Sequence, residues 1–236
     1  MAGMSLATTA FAKAAIGSTE IQKISIGTAE IWSAAPPPTV DFDAVSSFSN
    51  ALGDLSYSFS ATAGARVFVA VHLLGNNTVA SVTYGGNAMT LVTGAEQTMN
   101  NSASSGYLRV YTLASAPGGS QTVEVDKNGA NWAASFAISY LNVASVGTVS
   151  TAAGTGTSPS HSISAPPANG RVFQAFNWSS GNVSLTPSGG TGRLNDRGTA
   201  GGMAARDSSD AYSFTGTISS TGSPWASIAI PMSPVT

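Results

Sequence analysis

Cysteine is absent from the 236 residues, so no disulfide braces the fold and no thiolate can serve as nucleophile or metal ligand. Charge is scarce as well. Asp, Glu, Lys and Arg make up 8% of the chain, against about 25% in an ordinary globular domain. Nine Lys plus Arg against eleven Asp plus Glu leave a formal net charge of -2. Such a balance offers no basic field to hold phosphates and argues against nucleic acid as a partner. Weak charge also does little to keep copies apart, which suits a chain that ends in an assembly. No apolar run reaches the length of about 18 residues that a helical membrane span needs. Long helix-period stretches between the apolar runs are missing too, which argues against a βαβ architecture.

What is present points to strands. Hydrophobic residues make up 42% of the chain and glycine supplies 26 positions, with polarity coming from Ser, Thr and Asn. Short alternating runs of Val, Ile, Phe and Tyr between glycine-rich turns read as β structure. Arg66 to Leu74 is apolar on both faces, as a central buried strand is. Gln121 to Val125 alternates, with Val123 and Val125 inward and Glu124 outward. Tyr107 to Leu113, Trp132 to Val143, Arg171 to Phe176 and Trp225 to Ile230 continue the series. The expected fold is all-β: a β-sandwich or jelly roll of about ten strands, preceded by a short N-terminal β-meander arm. Gly147 to Ser164 reads as a loop, as do Gly94 to Ser105 and, apart from a short strand at Val183 to Leu185, Ser179 to Asp210.

Three segments follow: residues 1–33 as a docking arm, 34–40 as a Pro-rich joint, and 41–236 as the β-sandwich domain. The first fifteen residues put Lys13 late and interrupt the apolar positions with Thr8 and Thr9. They read as an arm with Leu6 and Phe11 as docking side chains rather than as a leader. The arm repeats itself. Ile16-Gly17-Ser18-Thr19-Glu20-Ile21 returns as Ile26-Gly27-Thr28-Ala29-Glu30-Ile31. A strand over Ile21 to Ile26, with turns at 17–20 and 27–30, gives a three-strand meander too small to stand alone. It must lean on its own body, on a sister copy or on another protein. The stiff Pro36-Pro37-Pro38 joint favours docking elsewhere, by edge pairing that buries Ile21, Ile24, Ile26, Ile31 and Trp32.

No catalytic constellation emerges, and neither a cofactor nor a metal is expected. His72 shares a strand face with Phe68 and Ala70 and reads as a hydrogen-bonded structural histidine. His161 sits in a loop without a carboxylate nearby in sequence, and no Gly-x-Ser-x-Gly elbow occurs. Asp41-x-Asp43 and Asp207-Ser208-Ser209-Asp210 offer calcium-type oxygen ligands without the spacing of a calcium loop. Arg206 beside Asp207 reads as a loop-pinning ion pair. Glycan stacking is the more serious binding chemistry, with Tyr107, Tyr111, Trp132 and Trp178 as the candidate rings, although each also fits a sandwich core.

The stretch "IQKISIGTAEIWSA", matching at Ile21, Lys23, Ile24, Gly27, Ile31, Trp32 and Pro36 to Pro38, resembles the β-motif that opens tail-associated and other virion proteins of phages infecting actinobacteria. "SVTYGGNAMTLV", "YLRVYTLASAPGGSQTVEV" and "WASIAIPM" resemble a β-sandwich module of such proteins. The resemblance implies a non-enzymatic structural or adhesive part of the particle. It predicts a minor tail protein at the virion surface that attaches through its arm to other virion proteins and to copies of itself. A capsid decoration protein, or a carbohydrate-binding module contacting host surface glycans, are the alternatives.

Overall fold

The computed structural model describes residues 14–16, 19–21, 23–26, 28–33, 36–179 and 183–236. Leu6 and Phe11 lie outside them. The chain divides between Pro37 and Pro38 into two compact units.

The first unit answers the doubled phrase. β1 (Ala14–Ile16) pairs with β2 (Thr19–Ile21), and β3 (Lys23–Ile26) pairs with β4 (Ala29–Ser33), both antiparallel. Ile16↔Thr19 in one ladder is matched ten residues on by Ile26↔Ala29 in the other, and Ala15↔Glu20 by Ser25↔Glu30. Each copy of the phrase is therefore one hairpin. This corrects the three-strand meander: Glu20 and Glu30 are ladder residues rather than turn residues, and the ladders form two separate two-stranded sheets.

The second unit is all-β, with nineteen described strands. They are β5 (Asp41–Val45), β6 (Ser49–Ala51), β7 (Leu55–Ala61), β8 (Arg66–Leu73), β9 (Thr78–Tyr84), β10 (Asn87–Ala88), β11 (Thr90–Thr98), β12 (Tyr107–Leu113), β13 (Gly119–Asn128) and β14 (Ala133–Leu141). There follow β15 (Val143–Val146), β16 (Ser150–Thr155), β17 (Ser160–Ile163), β18 (Arg171–Trp178), β19 (Leu185–Ser188), β20 (Thr191–Gly198), β21 (Gly201–Ser208), β22 (Tyr212–Ile218) and β23 (Pro224–Pro234). Strands β16, β17, β20 and β21 fall inside segments expected to be loops, and β19 begins at Leu185, the end of a strand expected at Val183 to Leu185. The polar composition of β16, β17, β19 and β20 reflects edge positions, whereas β21 is a buried inner strand whose small residues pack between β18 and β20.

The nineteen strands are two copies of one design. In the first, β5 and β6 pair with β14, β7 with β13, and β8 with β12. In the second, β15 and β16 pair with β23, β17 with β22, and β18 with β21. First with last, second with second-last and third with sixth is the winding of a jelly roll. The sheet orders agree: β11-β12-β8-β14-β5 and β10-β9-β13-β7 in one copy, β20-β21-β18-β23-β15 and β19-β22-β17 in the other.

The two copies also share sequence at the same ladder register. RVFVAVHL of β8 aligns with RVFQAFNW of β18, and ASFAI of β14 with ASIAI of β23. Ala134↔His72 becomes Ala226↔Asn177, Phe136↔Ala70 becomes Ile228↔Ala175, and Tyr140↔Arg66 becomes Met232↔Arg171. Gly106 and Gly201 open β12 and β21 at φ +109 and +119. A Cβ at Gly106 would run into the Leu73 carbonyl oxygen, and one at Gly201 into that of Trp178, which are equivalent residues of β8 and β18. Only glycine serves at such a close approach with positive φ.

Packing the copies face to face makes four layers. The central core joins Phe68, Phe136 and Tyr140 of the first copy to Phe173, Met203 and Ile228 of the second. Phe173 sits 5.5 Å from Phe68, 6.3 Å from Phe136 and 6.1 Å from Tyr140, ring centre to ring centre. An outer core lies on each side, around Val69, Val71 and Tyr84 in one copy and around Phe176, Phe214 and Trp225 in the other. Strands β8, β14, β18 and β23 are buried on both faces because each face meets a different core.

Candidate functional site

The sequence placed possible ligand contacts on four aromatic rings, and the fold separates them. Trp178 is 1% exposed in the second copy's outer core, its ring 6.1 Å from that of Phe176 and its indole Nε1 donating to the Val183 carbonyl at 2.9 Å. It is a core residue, which corrects the expectation of glycan contact there. Trp132 is half-buried against the central core.

Tyr107 and Tyr111 come together. Strand alternation puts residues 107, 109 and 111 on one face of β12, opposite Leu73, Val71 and Val69 of β8. Both tyrosines pack on the outer core of the first copy and stay half-buried. Four residues of strand set the rings about 13 Å apart along the chain. Arg109 lies between them, its Cζ 5.1 Å from the Tyr107 ring centre and its Nε 2.7 Å from Glu96 Oε2 on the neighbouring β11. Burial pushes the Tyr111 hydroxyl pKa up, with the Arg109 charge opposing. Leu91, paired with Tyr111, is 41% exposed. The result is a strip of two half-buried rings, an ion pair and an exposed aliphatic residue at the margin of the first copy's outer core. Aromatic faces of this kind stack on flat apolar surfaces, and the Arg–Glu pair offers directional hydrogen bonding at their centre. In the second copy β21 carries Gly202, Ala204 and Arg206 at the equivalent positions, so the strip belongs to one copy alone.

The histidines are both internal. His72 is fully buried in the central core and neither ring nitrogen has a hydrogen-bond partner, which corrects the expected hydrogen-bonded histidine. Burial pushes its pKa down to about 3. His161 is held between two serines, Nδ1 at 2.8 Å from Ser227 Oγ and Nε2 at 3.2 Å from Ser150 Oγ.

The acidic candidates are already engaged. Asp43 accepts from Thr62 N, Thr62 Oγ1 and Ser139 Oγ at 2.9, 2.7 and 2.7 Å. Asp207 is fully buried and takes Arg171 Nη1 at 3.0 Å, Arg193 Nε at 2.8 Å and Tyr140 Oη at 3.2 Å. Its expected partner Arg206 instead donates to the carbonyls of Gly189 and Gly190. Arg193 also lies 3.9 Å from the Phe42 ring centre, and Arg171 donates to the Val40 carbonyl at 3.0 Å. Asp207 thus anchors a clasp between the two copies rather than a calcium loop.

On the arm, Ile21 is half-buried and Ile24 is 38% exposed. Ile26, Ile31 and Trp32 lie in its strands, with side chains outside the described set. No protein-family model matches the chain, and no curated protein or solved structure shows significant similarity to it. The internal duplication is the functional landmark that sequence reasoning missed. Its signal was the pair Arg66-Val67-Phe68-x-Ala70 and Arg171-Val172-Phe173-x-Ala175.

Proposed function

We propose that the chain is a non-catalytic structural protein of a virion, of the minor-tail type that its arm and body segments resemble, attached through residues 16–32. The observation that carries this reading is the arm's construction: two hairpins of repeated sequence, each a two-stranded sheet. A lone two-stranded hairpin is marginal in water, and each arm strand has a single ladder partner among the described residues. Open strand edges with alternating isoleucines suit edge addition to another chain. At about 25 cal/mol per Å2 of apolar area, several isoleucines and one tryptophan contribute a few kcal/mol per arm before ordering costs. Repetition over a symmetric particle multiplies that hold.

Deleting residues 1–33 tests the proposal. The truncated body should fold with an unchanged unfolding midpoint and fail to enter particles; normal incorporation rejects the reading. Capsid decoration is the same mechanism at a different address, and labelling the body in imaged particles separates the two. A second reading, contact with a host surface glycan, is favoured by the Tyr107–Arg109–Tyr111 strip. Glycan-array binding lost in Tyr107→Ala and Tyr111→Ala supports it, and an array signal indifferent to both removes it.

A further inference from the structure

The second copy contains a buried hydrogen-bonded chain that arm docking does not use. Tyr212 Oη donates to Gln174 Oε1 at 3.0 Å, and Gln174 Nε2 donates to Ser227 Oγ at 2.8 Å. Ser227 then meets His161, and His161 meets Ser150. Gln174 and Ser227 are fully buried, and His161 is 6% exposed. The first copy has no such chain. There Ser135, the counterpart of Ser227, meets Tyr57 Oη at 2.8 Å, and Val69 stands where Gln174 is.

The Nε2-protonated tautomer of His161 gives the chain an outward direction. Gln174 donates to Ser227, which leaves the Ser227 hydroxyl proton available to His161 Nδ1 when that nitrogen is the unprotonated one. A neutral imidazole that accepts at Nδ1 carries its proton on Nε2. Burial lowers the His161 pKa and keeps the ring neutral. In that tautomer Nε2–H donates to Ser150 Oγ. A serine nucleophile needs the reverse, a histidine that takes the hydroxyl proton. Ser150 is left with its own O–H free to donate outward.

Ser150 is exposed and borders a concavity of about 340 Å3. Thr148, Ser150 and Ser164 supply hydroxyls to its lining, Ile163, Val172 and Pro231 supply apolar surface, and no lining residue is charged. An ionic ligand would lose its water there with no counter-charge to receive it. A wholly apolar ligand would leave the polarised Ser150 donor unpaired. The fitting group is neutral and joins a strong acceptor to a small apolar cap.

We propose that this concavity binds the acetamido group of an N-acetylated sugar, its carbonyl oxygen accepting from Ser150 Oγ and its methyl resting on Ile163 and Val172. The site shares no residue with the arm or with the Tyr107–Tyr111 strip, so it stands or falls independently of both.

Titrating the isotope-labelled intact chain with N-acetylglucosamine, and separately with methyl glucoside, tests it by NMR. N-acetylglucosamine should give saturable shifts at Ser150, Ser164 and Val172, and methyl glucoside should not. Ser150→Ala, a surface change, should weaken binding about five-fold, the worth of one neutral hydrogen bond. Absence of saturable shifts, or an equal response to methyl glucoside, overturns the proposal. So does a His161 ring whose nitrogen shifts put the proton on Nδ1.

Discussion

The two jelly rolls of the body share winding, ladder register and a pair of matching glycines, yet they differ where polar groups sit. Arg66 and Arg171 occupy one equivalent position. Arg171 reaches Asp207, while Arg66 has a buried Nε without a partner. The residue equivalent to Asp207 is Thr112, which donates to the Val67 carbonyl at 3.0 Å. His72 answers to Asn177, whose amide is satisfied on both sides by Tyr107 O and Ala226 N. Identical positions therefore mark what the winding requires, and divergent ones mark what each copy has specialised in. The first copy carries the tyrosine strip, the second the clasp and the His161 chain.

The largest expected effect comes from breaking the clasp. Asp207→Ala strands two arginines at the junction of the copies and should cost about 3–5 kcal/mol. Urea unfolding followed by probes in each copy should then lose its single coincident transition, whereas the parent chain keeps one.

Acid sharpens the comparison next. His72 is neutral when folded, with a pKa of about 3 against 6.5 unfolded. The unfolded chain thus binds the extra proton between those values, and stability falls as pH drops from 6.5 toward 3, by on the order of 5 kcal/mol at the limit. His72→Asn, which copies the second repeat, should flatten that part of the pH–stability curve.

Gly106→Ala and Gly201→Ala form a matched pair. Each places a side chain at positive φ against an equivalent carbonyl, and each should destabilise by at least about 1–3 kcal/mol. Similar losses in urea melts affirm the equivalence, and a loss in only one breaks it. The smallest effect belongs to the other unit: Trp32→Ala should shift the body's unfolding free energy by no more than about 0.5 kcal/mol while weakening attachment to particles.

Much of this was legible in the residues. Arg66 to Leu74 reads correctly as a doubly buried strand, because both faces are apolar, and the all-β class follows from turn and strand composition. Ser150 to Ile163 did not read as strands, since Ala, Gly, Ser and Thr at an edge carry no strong alternation. Trp178 looked like a binding ring because a tryptophan beside a polar loop has the same sequence signature as one capping a core. The duplication was visible but spread over 105 residues in one segment and 92 in the other, so neither match announces a repeat by fixed period. The His161 chain was not visible at all: Ser150, Gln174, Tyr212 and Ser227 meet only when three pairs of strands are in register.

The proposed attachment requires the arm to complete its sheets on another polypeptide. Amide hydrogen exchange over residues 14–33, in the free chain and in assembled particles, tests this most directly. The expected result is rapid exchange in the free chain and strong protection in the particle, with the body's protection alike in both. Strong protection of these amides already in the free monomer, unchanged on assembly, would contradict it.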